Sequence, residues 1–461
     1  MLRYCNHKKS QYIREVSFFT VCHKQLDFGS IFNLDITVDF KGGDITSDAG
    51  ALLLKEIDSH YKITKQAADC LSDERDPAKT THSLIELLRQ RIFQIALGYE
   101  DQNDADTMKK DPTMKTVVGR RPGSDKDLGS QPTLCRFENS RGQEELYRLS
   151  DFLVNLFIQL HPEAPSSLVL DMDATDDPTH GQQQLTFFHG YYEEYMYHPL
   201  LIFDGATGFP LAAVLRPGNT HSGHRAVAIL KRVIARLKQA YPETIIFLRA
   251  DAGFALPELY EYCEKEKVRY IIGLITNDRL RGKVSYLADS VEKRFAKTGE
   301  KQREFTDFWH QAGSWPIQRR VVGKVERLEK GLNQRFVVTN LGLEPRVVYD
   351  WIYTQRGEAE NRIKELKNQL KADRLSCHSF KANQFRLLLH TLAFVFFILL
   401  RRNLEGTELE TAQVDTIRLK LLKIGARVRQ TSRKIWFHLA SGYPYQDLLA
   451  QTLLRIRAAP V

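Results

Sequence analysis

The stretch "SSLVLDMDATDD" (Ser166–Asp177) decides the fold class. Leu168, Val169 and Leu170 run unbroken into Asp171 and Asp173. A short apolar run bounded by turn-forming residues is the pattern of a strand buried on both faces. Side chains alternate along a strand, so Asp171 and Asp173 project to one face. Two carboxylates ending a buried strand are costly to desolvate unless something compensates, and a bound cation is one such partner. The alternative is an ordinary strand end followed by acidic turn residues, Asp176 and Asp177.

Downstream, "YMYHPLLIFD" (Tyr195–Asp204), "FPLAAVLRP" (Phe209–Pro217), "TIIFLRADAGF" (Thr244–Phe254) and "VRYIIGLI" (Val268–Ile275) are further β-rich runs. Turn residues such as Asp204-Gly205 and Thr207-Gly208 separate them, and helical spacing falls near 222–240 and 256–267. This mixture predicts an α/β domain. "TIIFLRADAGF" repeats the first pattern, with an apolar strand ending at Asp251. Gly253 there permits close approach of backbone or ligand. Residues 276–345 are charged and alternate, as in "IQRRVVGKVERLE" and "QRFVVTNL", which predicts a β-rich insertion.

Upstream, residues 47–97 carry helical spacing, with Leu84, Leu87, Leu88, Ile92, Ile95 and Ala96 on one face. Gly119–Gly129 reads as a loop. Ser130 and Pro132 then suit the cap and first turn of a short helix. That helix presents Gln131, Thr133, Arg136 and Asn139, as a DNA-reading helix does; an ordinary capped helix fits the same residues equally. Residues 1–40 show no clear pattern and read as a leader or a poorly ordered start. The expected organisation is a leader at 1–40, a helical DNA-binding region at 41–150, and core segments at 165–275 and 346–402 around the insertion. A basic C-terminal region follows at 403–461.

Composition excludes several classes. Lys and Arg exceed Asp and Glu by 66 to 57, a net charge of +9, which favours a polyanionic partner such as nucleic acid. Seven Lys or Arg and no acid fall between Ile417 and His438 (Arg418, Lys420, Lys423, Arg427, Arg429, Arg433, Lys434). They read as a phosphate-binding surface or a solvated face. Six scattered cysteines without a CxxC pair argue against a zinc ribbon and for reduced thiols. The apolar stretch Val16–Cys22 is too short for a signal peptide. Leu387–Leu400 is the longest apolar run, shorter than the roughly 20 residues of a membrane span, and predicts a helix buried on all sides.

The third acidic feature is "YTQRGEAENRIKELKNQL" (Tyr353–Leu370). At 100° per residue, Tyr353, Arg356, Glu360 and Lys367 fall within an arc of about 60°, and Lys364 extends the stripe. A solvated charged face accounts for the Glu360–Lys364 pair. It accounts less well for one acid framed by two cations and a phenol. Those groups suit a site where a carboxylate holds metal and its neighbours hold phosphate oxygens.

The spacing Tyr-x2-Arg-x3-Glu-x6-Lys, met by Tyr353, Arg356, Glu360 and Lys367, resembles that of bacterial insertion-sequence transposases with an Asp-Asp-Glu site. Their Asp-small-Thr context is matched by Asp173-Ala174-Thr175, and their second strand-end Asp by Asp251. The runs "LRQRIFQIALGYEDQND", "DMDATDDPTHGQQ", "YHPLLIFDGATG", "LRPGNTHSG" and "RADAGFA" resemble insertion-sequence family 1380 in particular. The likeness covers roughly residues 41–450.

The resemblance implies an RNase H-like catalytic core with Asp173, Asp251 and Glu360 as catalytic metal ligands and Asp171 as the competing first ligand. It implies two Mg²⁺ ions, with Mn²⁺ able to substitute, and carboxyl groups converging within about 8 Å to share them. Tyr353, Arg356, Lys367, Lys364 and Arg136 are the expected DNA contacts. The implied activity is cut-and-paste transposition: cleavage at transposon ends and 3′-hydroxyl strand transfer by a homodimer on double-stranded DNA. The implied setting is the bacterial cytoplasm at the nucleoid, with no membrane. The rivals are an RNase H-fold nuclease without joining activity and a non-catalytic DNA-binding repressor. His180, His221 and Asn219 fit either the site or structural turns; His198-Pro199 reads as structural.

Overall fold

The computed structural model describes residues 25–459. The chain opens with a hairpin, β1 (Gln25–Ile31) and β2 (Leu34–Asp39), within the region expected to lack pattern. Val16–Cys22 and the rest of residues 1–24 lie outside the described residues. A two-residue strand, β3 (Ile45–Thr46), precedes the N-terminal helices.

The sheet strands follow as β4 (Ser167–Ala174), β5 (Asp177–Pro178), β6 (Phe187–His189), β7 (Glu194–Tyr197), β8 (Leu200–Asp204), β9 (Pro210–Val214), β10 (Ile245–Ala250) and β11 (Arg269–Leu274). Then come β12 (Gln302–His310), β13 (Arg319–Leu328) and β14 (Gly331–Thr339). Eight strands form one mixed sheet in the order β12-β13-β14-β11-β10-β4-β8-β9. β4, β10 and β11 run parallel, and every other neighbouring pair is antiparallel. β8 is buried at every position, as its apolar run requires. It ends in a turn in which Asp204 Oδ2 accepts from Thr207 N at 2.8 Å and Thr207 Oγ1 at 2.6 Å.

The stretch 276–345 departs from expectation. It begins with two helices, Asp278–Lys283 and Ser285–Thr298, and its strands continue the main sheet through β14 on β11. Leu287, Ala288 and Val291 form the buried face of the second helix.

The apolar run becomes the 24-residue helix Phe380–Asn403. Its length and the mean hydropathy of 1.6 over an 18-residue window would satisfy a membrane span, but that window is wholly buried in the fold. It is longer than the run read from sequence because Phe380, Ala382 and Phe385 add a turn and a half of core contact. Helices Leu84–Leu97, Gln131–Asn139 and Gln143–Leu160 pack around it, along with β9.

The N- and C-terminal regions fold together. β15 (Ala426–Gln430) pairs with β3 on one side and with β16 (Ile435–Leu439) on the other. Gly50 lies so close to this unit that a Cβ there would stand 1.8 Å from the Leu421 carbonyl oxygen. Three of the seven basic residues are absorbed into the fold. Arg418 donates to the Ala96 and Gln369 carbonyls, Lys423 pairs with Asp48 at 2.7 Å, and Lys420 lies over the Tyr445 ring. Arg427, Arg429, Arg433 and Lys434 stay exposed on the β15–β16 hairpin, beside exposed Trp436 and His438.

Candidate active site

Asp173 sits near the C-terminal end of β4, and Asp251 directly follows β10 on the neighbouring parallel strand. Parallel pairing brings these two strand ends to one edge of the sheet. The Tyr353–Leu370 stretch crosses that edge, but not as a uniform helix. It is a π-helical segment at Val347–Tyr353, a 3-10 turn at Thr354–Arg356, an α-helix at Gly357–Lys364 and a second π-helical segment at Glu365–Gln369. The constant 100° step therefore fails at both ends, since a π turn takes more residues per revolution.

The centre of the site is a bridge. Arg356 Nη1 donates to Asp173 Oδ2 at 2.9 Å, and Arg356 Nη2 donates to Glu360 Oε1 at 2.5 Å. Asp173 Oδ1 also accepts from the Ala174 amide at 2.9 Å. Burial pushes the Asp173 carboxyl up to about 7; Arg356 opposes this, and the charges of Asp251 and Glu360 reinforce it. Asp251 Oδ1 accepts from Gly253 N at 2.9 Å and so caps its own turn. Gly253 is tight because Ser222 Oγ and Asp251 Oδ1 would lie 2.9 and 3.1 Å from a Cβ there. Tyr353 Oη occupies the space over Gly273, 2.7 Å from where a Cβ would stand, beside the Asp251 turn. Its hydroxyl is raised by burial, against the pull of Arg356.

Asp171 is placed differently. Both its oxygens are held by Arg249 of β10, Oδ1 by Nε at 2.6 Å and Oδ2 by Nη2 at 2.7 Å. Arg249 Nη1 continues to the Ile352 carbonyl at 3.0 Å. This fork ties two strands to the segment carrying Tyr353 and engages both oxygens of Asp171. A Cβ at Gly205 would touch both partners, at 2.8 and 2.9 Å.

The remaining expected residues scatter. Lys367 pairs with Asp176, three residues past Asp173, and not with Glu360. Lys364 is exposed. Arg136 lies on the exposed face of the Gln131–Asn139 helix, bonded to Thr133 Oγ1. Ser130 meets Thr133 Oγ1 and no backbone amide, so the expected side-chain cap is absent. His198 is structural: its Nδ1 lies 2.8 Å from the Thr220 carbonyl, and burial pushes its imidazole down to about 4. His221, His180 and Asn219 are all exposed, and His221 Nδ1 accepts from Gly223 N within its turn. Ser222 and Gly273 were not singled out from sequence, and Asp176 was read only as a turn residue. Packing of the 216–223 loop brings Ser222 to the site, the pairing of β11 with β10 brings Gly273, and Asp176 follows from its place just after Asp173.

Among the described residues, no three His, Cys, Asp or Glu side chains stand as one cation-binding group. Arg356 stands between Asp173 and Glu360, and Asp251 caps its own turn. The donor chemistry nonetheless suits a hard divalent ion. All three groups are carboxylates, and the buried one already feels the other two as excess negative charge.

A family model described as "Transposase DDE domain group 1" matches residues 28–461. The chain belongs to this transposase DDE domain family. That membership makes it an enzyme of DNA transposition with nuclease chemistry, and the acid pair ending adjacent strands lies inside the matched DDE domain. No curated protein matches the chain.

Proposed function

We propose that this member of the DDE family is a cut-and-paste transposase of the insertion-sequence 1380 kind, with an RNase H-like core and Asp173, Asp251 and Glu360 as its catalytic acids. The observation that carries the reading is the Arg356 bridge, which ties an acid on the first core strand to an acid on the crossing helix. The sheet supports the core assignment. β4, β8 and β9 form an antiparallel run, and β10 and β11 then add in parallel on the other side of β4.

Asp173 is the first acid in preference to Asp171, because Asp173 shares Arg356 with Glu360 whereas both oxygens of Asp171 are held by the Arg249 fork. Asp173, Asp251 and Glu360 would hold two Mg²⁺ ions, with Mn²⁺ as a substitute, which would supply polarisation of the attacking hydroxyl and charge for the leaving 3′-oxygen. Arg356 bridges two of the acids and offsets part of their charge. Released, its planar fork fits two phosphate oxygens. Tyr353 holds the Asp251 turn against Gly273, and Lys367 is released from Asp176 to reach backbone phosphate. The exposed cations of the β15–β16 hairpin, Arg427, Arg429, Arg433 and Lys434, suit duplex phosphates away from the cut. The enzyme acts as a homodimer on paired transposon ends in the bacterial cytoplasm, at the nucleoid.

The test is an end-joining assay using the DNA that flanks the gene, a 3′-hydroxyl donor and Mg²⁺. Cleaved and joined products are expected from the wild type and neither from Asp251→Ala. Cleavage without joining would replace this reading with a nuclease, and binding without either product would replace it with a repressor.

A further inference from the structure

The acids of the site are joined on one side to an unusual hairpin. β5 begins four residues after Asp173 and pairs with β7, which pairs in turn with β6. The hairpin is braced from below by the loop 216–223. A Cβ at Gly218 would stand 1.9 Å from the Met196 carbonyl oxygen and 2.6 Å from that of Phe187. At the other end of the loop, Ser222 packs on Gly253, beside Asp251. One anchor of the hairpin is thus the strand of Asp173, and the other is the turn of Asp251.

What the hairpin displays is aromatic. Tyr191 is 84% exposed, Tyr195 60% and Phe188 52%. The rings are held in order rather than splayed. Phe188 and Tyr195 are cross-strand partners in edge contact at 5.7 Å. Tyr191 meets Tyr192 edge-on at 5.0 Å, and Tyr192 rests against His189 and His198 at 5.0 and 5.9 Å. An edge contact leaves ring faces uncovered. The hairpin itself carries no cation: from Arg148 to Arg216 the chain has no Lys or Arg between them, and the tip carries Glu193 and Glu194. What the hairpin itself offers is ring faces, which can stack on flat apolar groups such as unpaired bases. The Tyr192 hydroxyl is pushed up to about 12, first by burial and then by the charges of Asp176, Asp173 and Asp251, as its position beside those acids requires.

We propose that the β6–β7 hairpin is a base-stacking finger, in which Tyr191 and Tyr192, backed by Phe188 and Tyr195, hold unpaired DNA bases next to the phosphate presented to Asp173 and Asp251. The proposal rests on reading that site as a phosphodiester-cleaving centre. Freed bases lose their neighbours in the helix, and aromatic faces replace that stacking without regard to sequence.

The test compares two short duplexes, one blunt and one with a frayed single-stranded end carrying 2-aminopurine, bound by the full chain in EDTA. The wild type should favour the frayed probe and quench its fluorescence. Tyr191→Ala should weaken frayed-end binding roughly tenfold and leave blunt-end binding unchanged, whereas Tyr191→Trp should retain the preference. Phe188→Ala, also at an exposed position, should give a smaller loss of the same kind. Equal binding of both probes by wild type and Tyr191→Ala would overturn the finger. So would an unchanged preference in Tyr191→Ala together with a changed sedimentation coefficient, which would make the patch a contact between copies of the chain. Metal-dependent nicking of the frayed probe, compared between wild type and Asp251→Ala, tests the cleavage site separately. If nicking survives in Asp251→Ala, the site reading falls and the finger stands on the binding data alone.

Discussion

Two arginine–carboxylate clusters in this protein have opposite design. Under the helical region, Glu138 lies between Arg91 at 2.6 Å and Arg386 at 2.8 Å, with Arg91 and Glu138 fully enclosed. The extra positive charge is spread onto neutral acceptors: Arg91 reaches the Glu100 carbonyl, and Arg386 reaches Ser376 Oγ and the Arg374 carbonyl. At the sheet edge the count is reversed. One arginine, Arg356, stands between two acids with Asp251 close by, and the Glu360 side chain is 46% exposed. The first cluster joins three helices and has no outward access. The second has an excess of negative charge open to solvent, which is the electrostatic condition for recruiting cations. Excess sign and access, more than the presence of an ion pair, separate a locking cluster from a working one.

That contrast breaks most sharply at the acids themselves. Asp173→Asn, Asp251→Ala or Glu360→Gln should each lower DNA cleavage by on the order of 10³-fold or more, since several kcal/mol of transition-state stabilisation are removed. The melting temperature should hardly move. Retained cleavage together with a lost fold would reverse the assignment. Glu138→Ala should do the opposite. It leaves two buried guanidinium groups without their acid, a loss of about 3–5 kcal/mol in urea unfolding. A loss under about 1 kcal/mol would show that the cluster is hydrated.

Asp171→Asn sharpens the distinction within a single strand. It should cost about 2 kcal/mol by weakening two charge-assisted hydrogen bonds to Arg249, with divalent-ion affinity by calorimetry unchanged. A matching drop in metal affinity would restore Asp171 as a ligand.

The smallest effect belongs to a third cluster, at Glu326. Burial pushes this acid up, but Lys301, Lys324 and Arg303 overcome burial and hold it at about 2. Because the folded value is depressed, the stabilisation is present above the ordinary Glu value near 4.5 and is lost as pH falls toward 2. With Lys301 half-exposed, about 1 kcal/mol is expected. Glu326→Gln should therefore flatten the fall in stability between those pH values and match the wild type at the acid end. An unchanged slope would remove Glu326 from the account.

Much of the fold was legible because burial writes itself into apolar runs. The strands ending at Asp173 and Asp251, the Asp204-Gly205 turn and the long buried helix all follow from local pattern. The Ser285–Thr298 helix was also present as Leu287, Ala288 and Val291 at helical spacing, but its charged exposed face masked it. The β3–β15 pairing was not legible. Its shortest partner is two residues long, and the strands lie far apart in sequence.

The candidate site divides along the same line. Its chemistry was readable: strand-end acids and the Tyr-Arg-Glu-Lys spacing are properties of the chain. Its geometry was not. Alternation puts Asp171 and Asp173 on one face alike, and only their partners, Arg249 for Asp171 and Arg356 for Asp173, distinguish them. An ideal helix puts Lys367 beside Glu360, and only the π turns and Asp176 redirect it. The sequence by itself determined which groups exist and which strands end in acid, because hydrophobic periodicity is local. The tertiary structure decided which acids have a free oxygen, where Arg356 rests and what covers Asp251, because those depend on partners supplied by other strands and loops.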